Sequence, residues 1–187
     1  MFETVLNAIN TLSHASTNTQ GVSRTGRLMR VNYAGEIAAQ GLYSGAKAFS
    51  TDSNFQDFCT HAIQEERVHL DWCLERMNAH YAKPSVLNPV IFCSAFVLGA
   101  ASSIPGKQYA LAFIEETERQ VLKHLESHLR LVPRDDERTR EVLMQMIEDE
   151  SMHKDAAAES GAATLPGVVS ASMQALGGVL TNLTFWV

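Results

Sequence analysis

Two short stretches of the chain carry the same pair of potential ligands. In EERVH (65–69) Glu66 stands three positions before His69, and in EDESMH (148–153) Glu150 stands three before His153. Positions i and i+3 lie on one side of a helix, so a carboxylate oxygen and an imidazole nitrogen can meet at a common point. Both pairs interrupt apolar stripes. Phe55, Cys59, Ala62, Glu66, His69, Cys73 and Met77 recur at steps of three or four, as do Leu143, Met146, Glu150, His153 and Ala157. Each set shares the helix face that turns to a core. A carboxylate buried there without a partner costs on the order of several kcal/mol. Neither stripe carries a lysine or arginine: Arg67 turns away from the first, and Lys154 sits beside the second. Metal cations are the natural partners. Mixed carboxylate and imidazole ligation suits iron or manganese better than a thiolate-seeking metal.

Two Glu-x-x-His helices, with one glutamate from each of two further helices, form a dinuclear carboxylate site in a four-helix bundle. The sequence must therefore supply two more glutamates. Glu36 is the only acid between Glu3 and Asp52, on a line with Met29, Tyr33, Gln40 and Tyr43. Farther along, Glu115, Glu116 and Glu118 compete. Leu111, Ile114, Glu118, Val121 and Leu125 make an uninterrupted seam, whereas Glu115 shares its line with Arg119, and Glu116 with Gln120 and Lys123. Glu118 is the choice and Glu115 the reserve. Glu36 precedes Glu66, and Glu118 precedes Glu150, by about 30 positions. The pattern reads as two helical hairpins of one plan in a pseudo-two-fold bundle.

The elements that must hold these residues are legible too. Helical periodicity runs from about Arg24 to Phe49, from an N-cap at Asp52 to about His80, from Lys107 to Leu131, and from Asp136 to Ser160. Prolines 84, 89, 133 and 166 punctuate the pattern. No sustained alternation predicts a strand, so the fold class is all-α, as one domain over 1–187. Residues 1–24 form an N-terminal extension, with a short helix at its start and a polar linker at 16–24. Two segments carry no charge: the 23 residues 84–106 and the 28 residues 160–187. The apolar content of 45% marks a globular chain, and the net charge of −6 argues against nucleic acid, which needs a positive field. Cys59, Cys73 and Cys93 have no Cys-x-x-Cys spacing and predict no disulfide framework. Early Glu3 and the missing basic n-region predict neither a signal nor a transit peptide.

RVNYAGEIAAQGLY (30–43), EERVHLDWCLERM (65–77), SVLNP (85–89), TERQVLKHLESHL (117–129) and EDESMH (148–153) resemble the demethoxyubiquinone hydroxylases of ubiquinone biosynthesis. The likeness runs from about Arg27 to the C-terminus. It implies a ferritin-like four-helix bundle with a non-haem di-iron centre. The implied iron ligands are Glu36, Glu66, His69, Glu118, Glu150 and His153, the same six that the seams select. It also implies O2 and NADH-derived electrons as co-substrates, and hydroxylation of the ring of a demethoxy-polyprenylquinone. His124 matches a histidine of the family's KHL segment and joins Tyr33 as a candidate to support the ligands. The family usually writes Arg-x-x-His-x-Gly-Glu in the first helix, whereas this chain has Tyr33 at the histidine position. A tyrosine there can still donate to a carboxylate but is not the same base. Asp149 and Asp155 are candidate partners for the outer nitrogens of the ligating imidazoles. His14, His61, His80 and His128 read as surface or loop groups.

A prenylated quinone lives in a bilayer. The core of the first uncharged segment, Val90 to Ile104, is roughly 22 Å long as a helix, short of a hydrocarbon layer of about 30 Å. Contact with a membrane surface is expected rather than a span, with a buried crossover helix as the competing reading. The line Val169, Met173, Leu176, Leu180 and Leu183, with Trp186 beyond it, packs on that segment or shares its apolar face, and the two frame the substrate mouth. The expected location is peripheral, on the cytoplasmic face of the cell membrane. An electron donor or a biosynthetic complex is a further expected partner, as is a second copy of the chain in a homo-oligomer. No Gly-rich dinucleotide fingerprint occurs. The rival readings are another ferritin-like oxidase or peroxidase, an iron-binding protein, and a metal-free membrane-attached bundle. A storage shell would expose a hydrophilic exterior, and a rubrerythrin-like enzyme often carries a four-cysteine iron site that three scattered cysteines cannot build.

Overall fold

A computed structural model describes residues 21–187. His14, the short helix expected at the N-terminus and the first part of the expected polar linker lie outside the described residues. The described residues form six helices in order: α1 (Arg24–Phe49), α2 (Ser53–Ala79), α3 (Asn88–Ser103), α4 (Lys107–Leu131), α5 (Glu137–Glu159) and α6 (Gly167–Trp186). There is no strand among the described residues.

Local chemistry sets the helix ends. Ser23 caps α1 by accepting the Gly26 N–H at 3.0 Å, Asp52 caps α2 through Phe55 N–H at 2.9 Å, and Asp136 caps α5 through Thr139 N–H at 3.2 Å. Each supplies an acceptor to the orphan donors of a first turn. Pro89 stands in the first turn of α3, where its missing N–H is harmless. Hairpins α1–α2 and α4–α5 form the bundle, and α3 crosses over α1 between them.

The interior divides into two apolar clusters. One gathers Leu42, Tyr43, Phe55, Cys59, Leu111 and Ile114, with Ala157. The other gathers Met29, Cys73, Met77, Leu125, Leu143 and Met146. Every stripe crosses from one cluster to the other. Glu36, Glu66, His69, Glu118, Glu150 and His153 fall at the crossing. The result is a thin polar band closed above and below by hydrocarbon, which keeps bulk water from two sides.

The seat of α3 depends on glycine. A Cβ on Gly45 would strike the carbonyl oxygen of Phe96, and one on Gly99 would strike that of Leu42. The two backbones therefore approach closely, and Ser103 Oγ donates to Ala46 O at 3.1 Å. Helix α3 buries this small-residue edge with Ile91 and Ala100, and leaves Val90, Phe92, Val97 and Ile104 exposed. It is thus a packed crossover on one side and an apolar surface on the other. Helix α6 likewise exposes Val168, Leu176, Val179, Leu183 and Trp186. Its C-terminal end is tied to α1: the Arg27 guanidinium lies 4.5 Å from the Trp186 ring centroid, and Arg30 donates to Phe185 O at 3.5 Å. No helix among the described residues is long and apolar enough to cross a membrane.

Two histidines read as surface groups are not free. His128 is buried, and its Nδ1 is 2.6 Å from Asn32 Oδ1 on α1. His80 is half-buried, with Nδ1 3.1 Å from Ser23 Oγ and Nε2 2.8 Å from Asp136 Oδ2. In both cases the partner lies far away in the chain, where helical spacing carries no information. His61 is exposed as expected.

Candidate metal centre

Four helices each bring one glutamate to the band, and α2 and α5 add a histidine one turn later. All six side chains are buried. Their ligand atoms form two groups, each with its atoms within 4.8 Å of one another: Glu36, Glu66, His69 and Glu150, and Glu66, Glu118, Glu150 and His153. Glu66 and Glu150 belong to both. Glu36 with His69 terminates one group, and Glu118 with His153 terminates the other. Glu118, not Glu115, faces inward. Glu116 is also buried, but its carboxylate is held by Arg119 and by Gln120 on its own helix.

The imidazoles point Nδ1 inward. His69 Nδ1 lies 3.1 Å from both Glu66 Oε2 and Glu150 Oε1. His153 Nδ1 lies 3.1 Å from Glu66 Oε1 and 3.2 Å from Glu150 Oε2. Outward, His69 Nε2 meets Asp149 Oδ2 at 3.1 Å, and His153 Nε2 meets Glu65 Oε2 at 3.0 Å. The pairs are crossed: the acid preceding each shared glutamate supports the histidine of the other helix. Such outer partners fix the ring and raise its basicity as a ligand.

Among the other candidates, Asp149 stands in this network and Asp155 does not, being exposed beside Lys154. Tyr33 packs half-buried against the second apolar cluster with Trp72. His124 stacks on His128 at 6.2 Å between centroids and lines a groove beside α1. Two contributors escaped sequence reasoning. Tyr43 donates its hydroxyl to Glu118 Oε1 at 2.8 Å, although its place on the Glu36 line was a visible signal. Glu65 is the counterpart of Asp149 and could have been found by comparing the two motifs.

The fit to cations rests on orphaned atoms. Both oxygens of Glu36 and Oε2 of Glu118 are buried without any hydrogen-bond partner, and Glu66 and Glu150 meet only the two imidazoles. Buried polar atoms are otherwise nearly always satisfied. Four carboxylates and two imidazoles with their lone pairs converging are what hard-to-borderline divalent ions take. Protonation reflects the same crowding. Burial and the nearby Glu150 and Glu66 charges push the Glu36 carboxyl well above the usual range, and burial with the same two neighbours does so for Glu118. Burial alone would raise Glu66, but hydrogen bonds with His153 and His69 hold it down at about 2. Burial opposes charge on His153, yet its bonds to Glu150 and Glu66 push it up to about 11. His69 shifts upward for the same reason. In metal-free protein the raised carboxyls of Glu36 and Glu118 oppose folding at neutral pH. Glu36→Met is therefore expected to stabilise the metal-free chain by about 1–3 kcal/mol in urea unfolding. A variant less stable than the metal-free parent would contradict the reading of Glu36 as an unsatisfied buried acid.

The band has two faces. Between α2 and α5 a dish of about 420 Å³ opens onto Glu65, His69, Asp149 and His153. On the other face a groove of about 520 Å³ runs between α1, α3, α4 and α6. Its lining includes Gly35 and Thr117, the residues immediately before Glu36 and Glu118, with Val31, Leu98, Leu176 and Leu180. The two uncharged segments flank this groove. His124 is among its few polar groups, and burial lowers its basicity.

Comparison with known proteins gives one consistent result. Residues 23–184 match the family described as ubiquinone biosynthesis protein COQ7. A 3-demethoxyubiquinol 3-hydroxylase of Francisella philomiragia is 43% identical over 158 residues, covering 84% of this chain and 75% of that protein. The enzymes of the same name from Bordetella petrii and Xanthomonas euvesicatoria are 39% identical over 160 residues and 42% identical over 146. They cover 86% and 78% of this chain, and 71% and 67% of their own lengths.

Proposed function

Because this chain belongs to the ubiquinone biosynthesis protein COQ7 family, we propose that it is a 3-demethoxyubiquinol 3-hydroxylase acting through a non-haem di-iron centre. The observation that carries the proposal is the convergence of six buried ligand side chains beside an apolar groove lined by Gly35 and Thr117, the residues that precede Glu36 and Glu118. Glu36, Glu66, His69, Glu118, Glu150 and His153 would hold two iron ions, whose chemistry when bound and reduced would be the activation of O2. One oxygen atom enters a ring C–H bond as hydroxyl. The other leaves as water, with two electrons from a donor oxidising NADH and two protons.

The protein's part is to bind, orient and keep dry. Two apolar clusters close the band from above and below, so electrons and oxygen are not lost to solvent reactions. The groove takes the aromatic ring and the start of its isoprenoid tail. Its small lining residues Ala34, Gly35 and Ala38 let a flat ring lie against α1. His124 is placed to exchange a hydrogen bond with a ring oxygen. Tyr43 holds Glu118, and Asp149 and Glu65 hold the imidazoles. The exposed apolar faces of α3 and α6 would rest on the cytoplasmic face of the membrane, with Trp186 at its interface. The substrate then enters sideways from the lipid, and no helix needs to span.

The test is turnover of iron-loaded protein with a demethoxyquinol analogue, a reductant and 18O2. The expected product gains one labelled oxygen atom on the ring. Iron-dependent peroxide turnover without ring hydroxylation would reject the assignment.

A further inference from the structure

The pseudo-two-fold symmetry of the centre breaks at its supporting hydrogen bonds. On one half, Glu36 accepts no hydrogen bond at either oxygen, so both are free to ligate. His69 leans on Asp149, whose side chain is 21% exposed. Asp149 is itself held by Gln145 Nε2 at 3.0 Å from Oδ1. On the other half, Glu118 already accepts the Tyr43 hydroxyl at 2.8 Å. His153 leans on Glu65, which is 52% exposed, with its other oxygen 3.8 Å from the exposed His61 Nδ1. His153 is also more open to the dish than His69, at 11% against 2% side-chain exposure. A carboxylate shared with a hydroxyl donor is a weaker ligand. An outer carboxylate in contact with solvent is screened and competed for, and supports its imidazole less.

From these differences the geometry points to two unequal metal positions. The tight one lies at Glu36 and His69. The weaker, faster-exchanging one lies at Glu118 and His153, and its ion passes through the dish beside Glu65. Glu65, Asp149 and Tyr43 are thereby positioning residues that set the affinity of one half each. The inference rests on the dinuclear reading of the centre and adds an order of filling to it.

The probe is Co2+, added to the metal-stripped full chain and followed by visible absorption, with release timed by a chelator. The parent is expected to take two ions in two steps separated by about tenfold or more. Glu36→Gln should remove or weaken the first step, and Glu118→Gln the second. Glu65→Gln should weaken only the second step, by about 10- to 100-fold, and speed its release, whereas Asp149→Asn acts on the first. Tyr43→Phe frees a Glu118 oxygen and should tighten the second step. Retained helical circular dichroism shows that each variant is folded, and a purely structural role would not move one step alone. Two ions of equal affinity overturn the inference and leave the dinuclear centre standing. So does a Glu65→Gln variant that acts on both steps, on neither, or on the step lost in Glu36→Gln. A parent chain that takes up fewer than two ions overturns both.

Discussion

Glu66→Ala and Glu150→Ala are each expected to abolish binding of both metal ions and to reduce hydroxylation to background. Each residue belongs to both ligand groups, and each meets both imidazoles within about 3.2 Å. With one ion held in each group, removing either residue would take a ligand from both. The loss should exceed the roughly 10- to 100-fold that removal of an outer partner costs. A terminal ligand is different: Glu118→Ala should weaken chiefly one ion, and Glu115→Ala neither, because Glu115 is only half-buried and outside both groups. Metal content after gel filtration distinguishes these outcomes. A Glu66→Ala chain that keeps two ions would show that the shared carboxylate is not a bridge.

Gly35→Leu should leave the fold and the metal centre intact while turnover of a prenylated substrate falls on the order of 100-fold. Glycine inside a helix costs about 1 kcal/mol relative to alanine, so Gly35 weakens α1. No neighbour forces the glycine, since a Cβ built on it meets nothing within 4 Å. The open space is the groove. A leucine there fills the place beside Glu36 where the ring must lie, without striking protein atoms. The expected variant is at least as stable as the parent, binds two ions, and fails with substrate. Unchanged turnover would mean that the ring approaches the centre from elsewhere, with the dish between α2 and α5 the remaining opening.

The contrast between Gly35 and its neighbours marks what sequence could convey. The stripe Phe55, Cys59, Ala62, Glu66, His69, Cys73 and Met77 is the buried set of α2, because one periodicity and one core decide it. The caps at Asp52 and Asp136 lie where their side chains bond the first turn. Glu118 was separable from Glu115 and Glu116 for the same reason: a 3.6-residue period has only one inward line. What periodicity cannot show is which distant helix answers a polar group. Asn32 meets His128, and Ser23 with Asp136 meets His80, so of two histidines that looked peripheral one is buried and the other is tied down while half-buried. Helix α3 is uncharged and apolar nearly all round, so hydrophobicity offers no preferred face there. The close approach of Gly45 to the Phe96 backbone and of Gly99 to the Leu42 backbone selects the buried face of α3, and the groove lies beside it. The crossed support of His69 by Asp149 and of His153 by Glu65 also needed coordinates, because it depends on α2 and α5 facing each other.

Anomalous diffraction from crystals of the iron-loaded chain tests the central claim most directly. Two iron peaks are expected between Glu66 and Glu150, one on the side of Glu36 and His69 and the other on the side of Glu118 and His153. A single peak, or iron bound away from these six side chains, would contradict the account.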